Sequence, residues 1–322
     1  MRICIVGAGA IGGYLGARLI QAGQQVTVIA RGQTLAAIQD HGLILRSDQD
    51  AIVAHPALVT DDMSRIGIHD LVIVAVKAHQ LAAVAPGIAA ISGPDSIVVP
   101  TQNGIPWWYF QRHGGPWDGY QIKAVDPHGV IAQHIPIERV IACVVYPATE
   151  LLAPGVIHHI EGDRFTLGEP DGLRSERIQN VARLLTSAGF KAPIRTNIRG
   201  DIWVKLWGNV AFNPISALTR ATLLGICSFG PSRDLVAAVM AETQAIAEQL
   251  GIRFSISIEQ RIQGAAQVGE HKTSMLQDIE AGRTTEIDAL VGAVAELGRL
   301  TGVATPHIDA LYATVALLTY QR

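Results

Sequence analysis

Residues 2–12 read Arg2-Ile3-Cys4-Ile5-Val6-Gly7-Ala8-Gly9-Ala10-Ile11-Gly12 and run into an apolar-periodic segment. The pattern predicts a strand, a glycine turn and a helix. A second strand over residues 25–30 ends at Arg31, which completes one βαβ unit. Gly7 permits the tight turn, Gly9 lets the backbone approach a pyrophosphate, and Gly12 allows the helix to pack closely on the strand. The helix N-terminus then turns unpaired N–H groups towards an anion. A Gly-x-Gly-x-x-Gly alone is a weak signal, but a β-run before it and a helix after it make this one a candidate dinucleotide site built from Gly7, Ala8, Gly9, Ala10, Ile11 and Gly12.

Working outward, the alternation continues. A short helix over residues 35–40 and a strand over 43–46 precede Asp70-Leu71-Val72-Ile73-Val74-Ala75-Val76, a continuous apolar run of the kind a parallel strand needs when both of its faces are covered. A helical stretch over residues 80–90, interrupted at Pro86, and another buried strand over 96–99 follow. The first half is therefore α/β, a Rossmann-type doubly wound, mainly parallel sheet. Lys77 and Asn103 come just after presumed strand ends, where open α/β sheets bind ligands. Asn103-Gly104 can equally be a plain turn pair, and Lys77 a solvated lysine.

Residues 105–136 are irregular and rich in aromatics, including Trp107, Trp108, Tyr109 and Phe110. They fit either a local core covering the sheet edge or a lid over a substrate. Strands over residues 140–146, 156–160 and 164–167 are spaced for antiparallel hairpins closing one sheet edge. A helix over 176–187 and a short strand over 192–195 complete this half. Beyond about residue 197 the strand signals fade, which gives a first domain over 1–197 and an all-helical C-terminal domain over 198–322.

Composition bounds the partners. The chain has 322 residues and a net charge of -3, with no basic tract for nucleic acid and no apolar run near the roughly 20 residues that span a bilayer. The expectation is a cytoplasmic protein with no membrane or nucleic-acid partner. Cys4, Cys143 and Cys227 sit in apolar surroundings and read as buried thiols. His158 and His159 alternate across a strand, and no ligand spacing suggests a metal. A helical domain this apolar could support a homodimer.

The helix over residues 201–213 carries Lys205, Asn209 and Asn213 at steps of four, one polar stripe among Trp203, Val204, Leu206, Trp207, Val210 and Phe212. Pro214 places Asn213 at the helix end or a kink. A helix this apolar must satisfy its stripe, and a ligand would do so. In the segment 274–288, Ser274 can cap a helix and Thr285-x-x-Asp288 resembles a capping box. These residues alone do not distinguish Glu286 from Asp288 as a functional acid.

Taken together, the glycine loop with Arg31, Val76-Lys77-Ala78, Gln102-Asn103-Gly104, Lys205-Leu206 with Asn209 and Asn213-Pro214, and Ser274-Met275-Leu276-Gln277-Asp278 through Thr285-Glu286-Ile287-Asp288 resemble the ketopantoate reductases. The resemblance implies NADPH-dependent reduction of a 2-oxo acid, 2-dehydropantoate in the family, with Lys205 as proton donor. It implies that Asn103, Asn209, Asn213 and Ser274 hold the substrate, and that Lys77, Asn103, Ala148 and Glu286 contact the cofactor. Glu286 is thereby selected over Asp288. From the residues, Arg31 follows the second strand with no carboxylate until Asp40, which favours the 2′-phosphate of NADP(H) over NAD. Desolvation would lower the Lys205 pKa and a nearby Glu286 would raise it, two opposed effects that sequence does not rank.

The aromatic stretch departs from the family pattern. It leaves open a bulkier or aromatic 2-oxo acid, and a non-catalytic NADP-binding sensor is a further alternative.

Overall fold

The apolar run Ile3–Val6 forms β1, and the glycine turn passes it to α1 (Ala10–Gln21). The structure, a computed structural model, describes residues 1–48 and 50–320; Gln49 and the last two residues of the stretch 198–322 lie outside the described residues. The chain continues through β2 (Val26–Ile29), α2 (Gly32–His41), β3 (Leu43–Arg46), β4 (Ala51–Ala54), β5 (Leu58–Thr60), β6 (His69–Val74), α3 (Leu81–Ala90) and β7 (Ser92–Pro100). An irregular stretch leads to α4 (Val130–His134), β8 (Ala142–Val145), β9 (Ala148–Ala153), β10 (Val156–Glu161), β11 (Phe165–Gly168) and α5 (Glu176–Ser187). The rest is helical: α6 (Ile198–Thr219), α7 (Leu223–Ser228), α8 (Gly230–Gln249), α9 (Ile258–Gln267), α10 (Ser274–Glu280), a π turn (Asp288–Gly292), α11 (Ala293–Thr301) and α12 (Pro306–Tyr320).

Two compact units result. The first comprises Met1–Gln102, Phe110–Tyr120 and Gly129–Ile198; the second comprises Asn103–Tyr109, Gln121–His128 and the residues from Arg199 on.

In the first unit, β5-β2-β1-β6-β7 form a five-stranded sheet in which every pairing is parallel. The central strand β1 is buried along its whole length, as are Leu71–Val74 of β6 and Ile97–Val99 of β7, whereas the edge strand β5 is partly exposed. The chain builds outward from β1 to β2 and β5, then returns to add β6 on the other side of β1. The carboxyl ends of β1 and β6 are thus a topological switch point, where open α/β sheets take ligands. Gly7 N–H donates to Ile29 O at 3.0 Å and Ala75 N–H to Val6 O at 2.8 Å, closing the backbone around that point. On α1, Gly13 and Gly16 face Ile157 and Leu43 so closely that no side chain would fit, which lets a second sheet, β4-β3-β10-β9, approach the helix.

Three expectations are corrected here. The strands after residue 140 do not close the edge of the main sheet as antiparallel hairpins. The β9–β10 hairpin joins β3, and β8 pairs with β11 in a separate two-stranded sheet. Among the described residues, an isolated parallel bridge links Val98 of β7 to Val140, which the chain reaches by a crossover through α4. The helix at Pro86 is not interrupted either: α3 runs from Leu81 to Ala90 with Pro86 inside it. The segment over 192–195 forms an isolated bridge, Ile194 to Leu167, instead of a strand.

The second unit is organised on α6, whose Trp203, Leu206, Trp207, Val210 and Phe212 are buried. Val204, expected among them, is 40% exposed. Trp207 Nε1 donates to Met240 O at 2.8 Å, and its ring lies 4.3 Å from that of Phe254. Of the two outcomes expected from Pro214, a helix end or a kink, the end does not occur at Asn213. α6 begins at Ile198 and continues through the proline to Thr219, because this stretch is buried among other helices and its packing outweighs one lost backbone bond.

Candidate active site

The first unit carries one group of candidate residues, at the switch point. Gly7 has φ +100°, and a Cβ there would lie 2.9 Å from Val76 N, so the β1 turn presses directly on the chain leaving β6. A Cβ on Gly12 would stand 1.9 Å from Gly7 O. By contrast, the Cβ direction of Gly9 opens onto empty space, and Gly9 caps α1 with no side-chain bond to the first N–H groups. An open cradle with uncapped N–H donors, flanked by Ala8, Ala10 and Ile11, fits a pyrophosphate.

The other first-unit residues are placed by these same strands. Half-buried Lys77 follows β6, and its N–H donates to Gln80 Oε1 at 3.2 Å. Gln102, after β7, donates through Nε2 to Val74 O and Val76 O, each at 2.9 Å, and binds the ends of β6 and β7 together. Arg31 is exposed immediately past the carboxyl end of β2, at the start of α2. Ala148 opens β9 in the second sheet and is half-buried.

The second unit carries the other group of candidate residues. On α6, Lys205 and Asn209 are half-buried and Asn213 is 4% exposed. Asn213 Nδ2 is buried with no hydrogen-bond partner, a donor of the kind a ligand would satisfy. Lys205 Nζ donates to Asn103 Oδ1 at 2.5 Å. An ammonium only donates, so Asn103 must present its oxygen there, which turns its NH₂ group the other way. Sequence predicted both residues, and the structure brings them together.

α6 is held in place through its aromatic neighbours. Trp203 Nε1 donates to Tyr109 OH at 2.7 Å, and Arg199 Nε donates to Tyr109 O at 2.8 Å. Burial pushes the Tyr109 phenol up to about 12. Trp107, Trp108 and Tyr109 are at most 3% exposed. They are therefore interior packing of this unit and not the substrate-facing lid that was one reading of their sequence.

Ser274 and Glu286 are also clarified. The cap of α10 is Thr273, whose Oγ1 accepts from Leu276 N–H at 3.3 Å, so Ser274 is not the cap and its side chain is exposed. No capping box forms at 285–288: Thr285 Oγ1 is buried without a partner, and Asp288 is exposed and accepts from Tyr312 OH at 2.8 Å. Glu286 is the buried acid of the pair, at 7% exposure. Reasoning from sequence missed Tyr109 as the partner of Trp203, and it missed Glu296, whose carboxylate accepts the N–H groups of Lys123 and Ala124 at 2.9 and 2.7 Å. Neither carries a motif; both contacts join residues far apart in the chain.

Among the described residues no group of three or more His, Cys, Asp or Glu could hold a metal ion, and no helix is long and apolar enough to cross a membrane. Cys4, Cys143 and Cys227 are free and buried, and burial pushes the Cys4 thiol up to about 12.

Known proteins are similar to this chain in sequence and fold. A family model described as Ketopantoate reductase PanE/ApbA matches residues 3–172, and its C-terminal counterpart matches residues 197–319. A 2-dehydropantoate 2-reductase from Mesorhizobium japonicum is 52% identical over 100% of this chain and 99% of its own. A crystal structure from Ralstonia solanacearum, assigned as a ketopantoate reductase, superposes with a TM-score of 0.95 at 47% identity, covering 100% of this chain and 98% of that one. A 2-dehydropantoate 2-reductase from Methylococcus capsulatus gives 0.83 at 28% identity, covering 100% and 97%.

Proposed function

We propose, since the chain belongs to the ketopantoate reductase family, that it reduces the 2-oxo acid 2-dehydropantoate to pantoate with NADPH, and that Lys205 supplies the proton. The observation that carries this reading is the Lys205–Asn103 pair, a cation held by a neutral amide on a buried helix.

The glycine cradle of Gly7, Ala8, Gly9, Ala10, Ile11 and Gly12 would hold the pyrophosphate, Arg31 the 2′-phosphate, and Lys77, Asn103, Ala148 and Glu286 further parts of NADPH. When bound, that cofactor supplies the hydride. Reduction leaves negative charge growing on the carbonyl oxygen, and a preorganised donor is worth most where charge develops. One N–H of Lys205 is donated to Asn103 Oδ1, which fixes the direction in which Nζ points. Proton transfer from Nζ then completes the 2-hydroxy acid. Asn209 and Asn213, one and two turns further along α6, would hold the rest of the substrate, with Ser274 beside them. The unpartnered Asn213 Nδ2 supports that role.

Functionally, residues 1–197 would serve as the cofactor domain and 198–322 as the substrate domain. The case for a bulkier or aromatic substrate rested on Trp107, Trp108 and Tyr109 as a pocket wall, and their burial in the interior removes its motive.

The test is loss of NADPH absorbance on adding 2-dehydropantoate, alongside a panel of other 2-oxo acids. Turnover is expected with 2-dehydropantoate, and NADPH is expected to be favoured over NADH. Arg31→Ala should reduce that preference at least tenfold, by raising KM for NADPH while leaving KM for NADH within about twofold, since an exposed arginine on a bidentate phosphate contributes on the order of 1.5–3 kcal/mol. NADPH binding without reduction of any 2-oxo acid would instead identify a sensor, and a preference for NADH would contradict the role given to Arg31.

A further inference from the structure

The second unit contains a π turn, Asp288–Gly292. The N–H of Ala293 reaches back five residues to Asp288 O instead of four to Ala289 O. Ala289 O accepts from Ile105 N–H at 2.9 Å. The residue before Ile105 is Gly104, with φ +95°, and a Cβ there would lie 2.2 Å from Ala289 O and 2.6 Å from Ala289 C. The turn that carries Asn103 is thus seated on the backbone of the π turn by one hydrogen bond and one glycine-only contact. The π turn is tied down in its own right. Tyr312 OH donates to Asp288 Oδ1 at 2.8 Å, and the Tyr312 ring lies so close to Gly292 that a Cβ there would stand 2.9 Å from it.

We propose that the π turn Asp288–Gly292 is a positioning device for Lys205: by engaging Ile105 and Gly104 it fixes Asn103 Oδ1, which in turn aims the ammonium. The inference rests on the function given above for Lys205 and adds residues that touch neither substrate nor cofactor. A π turn widens the helix by one residue and frees a carbonyl that a regular α-helix keeps internally bonded. Here that carbonyl is committed to the loop bearing the amide partner of Lys205. Tyr312, Asp288 and Gly104 act through the loop and are positioning residues. Their effect should fall on the transition state, where the direction of Nζ matters, more than on ground-state binding.

A double-mutant cycle in the full-length chain reads this directly. Gly104→Ala is expected to lower kcat at least tenfold, with the Kd for NADPH from fluorescence titration within threefold and KM for the 2-oxo acid within threefold. Combined with Lys205→Ala it should lower the residual kcat less than twofold, because the group being aimed is absent. Tyr312→Phe, which keeps the ring on Gly292, is a milder probe should Gly104→Ala fold poorly. It is expected to lower kcat about threefold in the parent and not at all with Lys205→Ala. Equal losses in both backgrounds, or a change confined to KM or Kd, would overturn the proposal. A parent protein that binds NADPH but reduces no 2-oxo acid would overturn the reading of Lys205 itself, an outcome distinct from additive cycles in an active enzyme.

Discussion

Lys205→Ala is expected to lower kcat by about three orders of magnitude, within the range for removal of a general acid that also stabilises developing charge. The Kd for NADPH should stay within about twofold, because the cradle proposed for the pyrophosphate is built wholly from the first unit around β1 and α1. Lys205→Arg should recover little. A guanidinium keeps the charge but gives up its proton far less readily, and its planar fork would not meet Asn103 Oδ1 in the direction that Nζ does. Single-turnover reduction measured with enzyme and NADPH in excess would separate the chemical step from product release. Near-normal turnover in Lys205→Ala would remove Lys205 from the mechanism.

The second large effect is expected at Gly12. With a Cβ placed 1.9 Å from Gly7 O, Gly12→Ala forces the helix and the turn apart by more than an ångström. Overpacking of that kind costs about 1–3 kcal/mol, and for a domain of this size each kcal/mol lowers Tm by roughly 2–4 °C. Displacement of the N–H groups of α1 on this scale should weaken NADPH binding on the order of 100-fold. Gly9→Ala provides the contrast. Its Cβ meets nothing within 4 Å, so Tm should be unchanged while NADPH binding is lost, because the added methyl stands where the pyrophosphate approaches. Thermal melts and fluorescence titration of the two variants therefore separate packing from ligand exclusion at neighbouring glycines. Equal loss of Tm in both would show that the turn does not behave as two distinct contacts.

Local features were legible in the sequence, and features set by distant partners were not. The first βαβ unit could be read because its strand, turn and helix are encoded within some thirty residues, each glycine having one steric task. The strands after residue 140 were also recognisable as strands, but their partners were not. Pairing of β10 with β3 depends on α1 having Gly13 and Gly16 where the second sheet approaches, a fact about three elements at once. Pro86 read as an interruption, and Pro214 as a helix end or a kink, from a local rule, whereas both helices continue through their prolines. In the site, helical spacing identified Lys205, Asn209 and Asn213, whereas the contact of Lys205 with Asn103 spans 102 residues. The π turn leaves no periodic trace, since one residue out of register only blurs a helical pattern. Glu286 and Asp288 were equivalent as letters and became distinct once one was buried and the other was bonded to Tyr312.

The segment between β7 and α4 belongs alternately to the two units: residues 103–109 and 121–128 are counted with the helices, and 110–120 with the sheets. No single cut can therefore separate the units intact. A fragment starting at residue 198 would keep Lys205 but lose Asn103, the Tyr109 hydroxyl that accepts from Trp203, and the two N–H groups held by Glu296. A protease nick in this segment, far in sequence from the catalytic helix, should thus abolish reduction while the glycine cradle is left whole. Inheritance obeys the same constraint: a recombination breakpoint near residue 198 would pair each α6 with another protein's Asn103, so the helical half and this threaded segment are expected to be exchanged together or not at all.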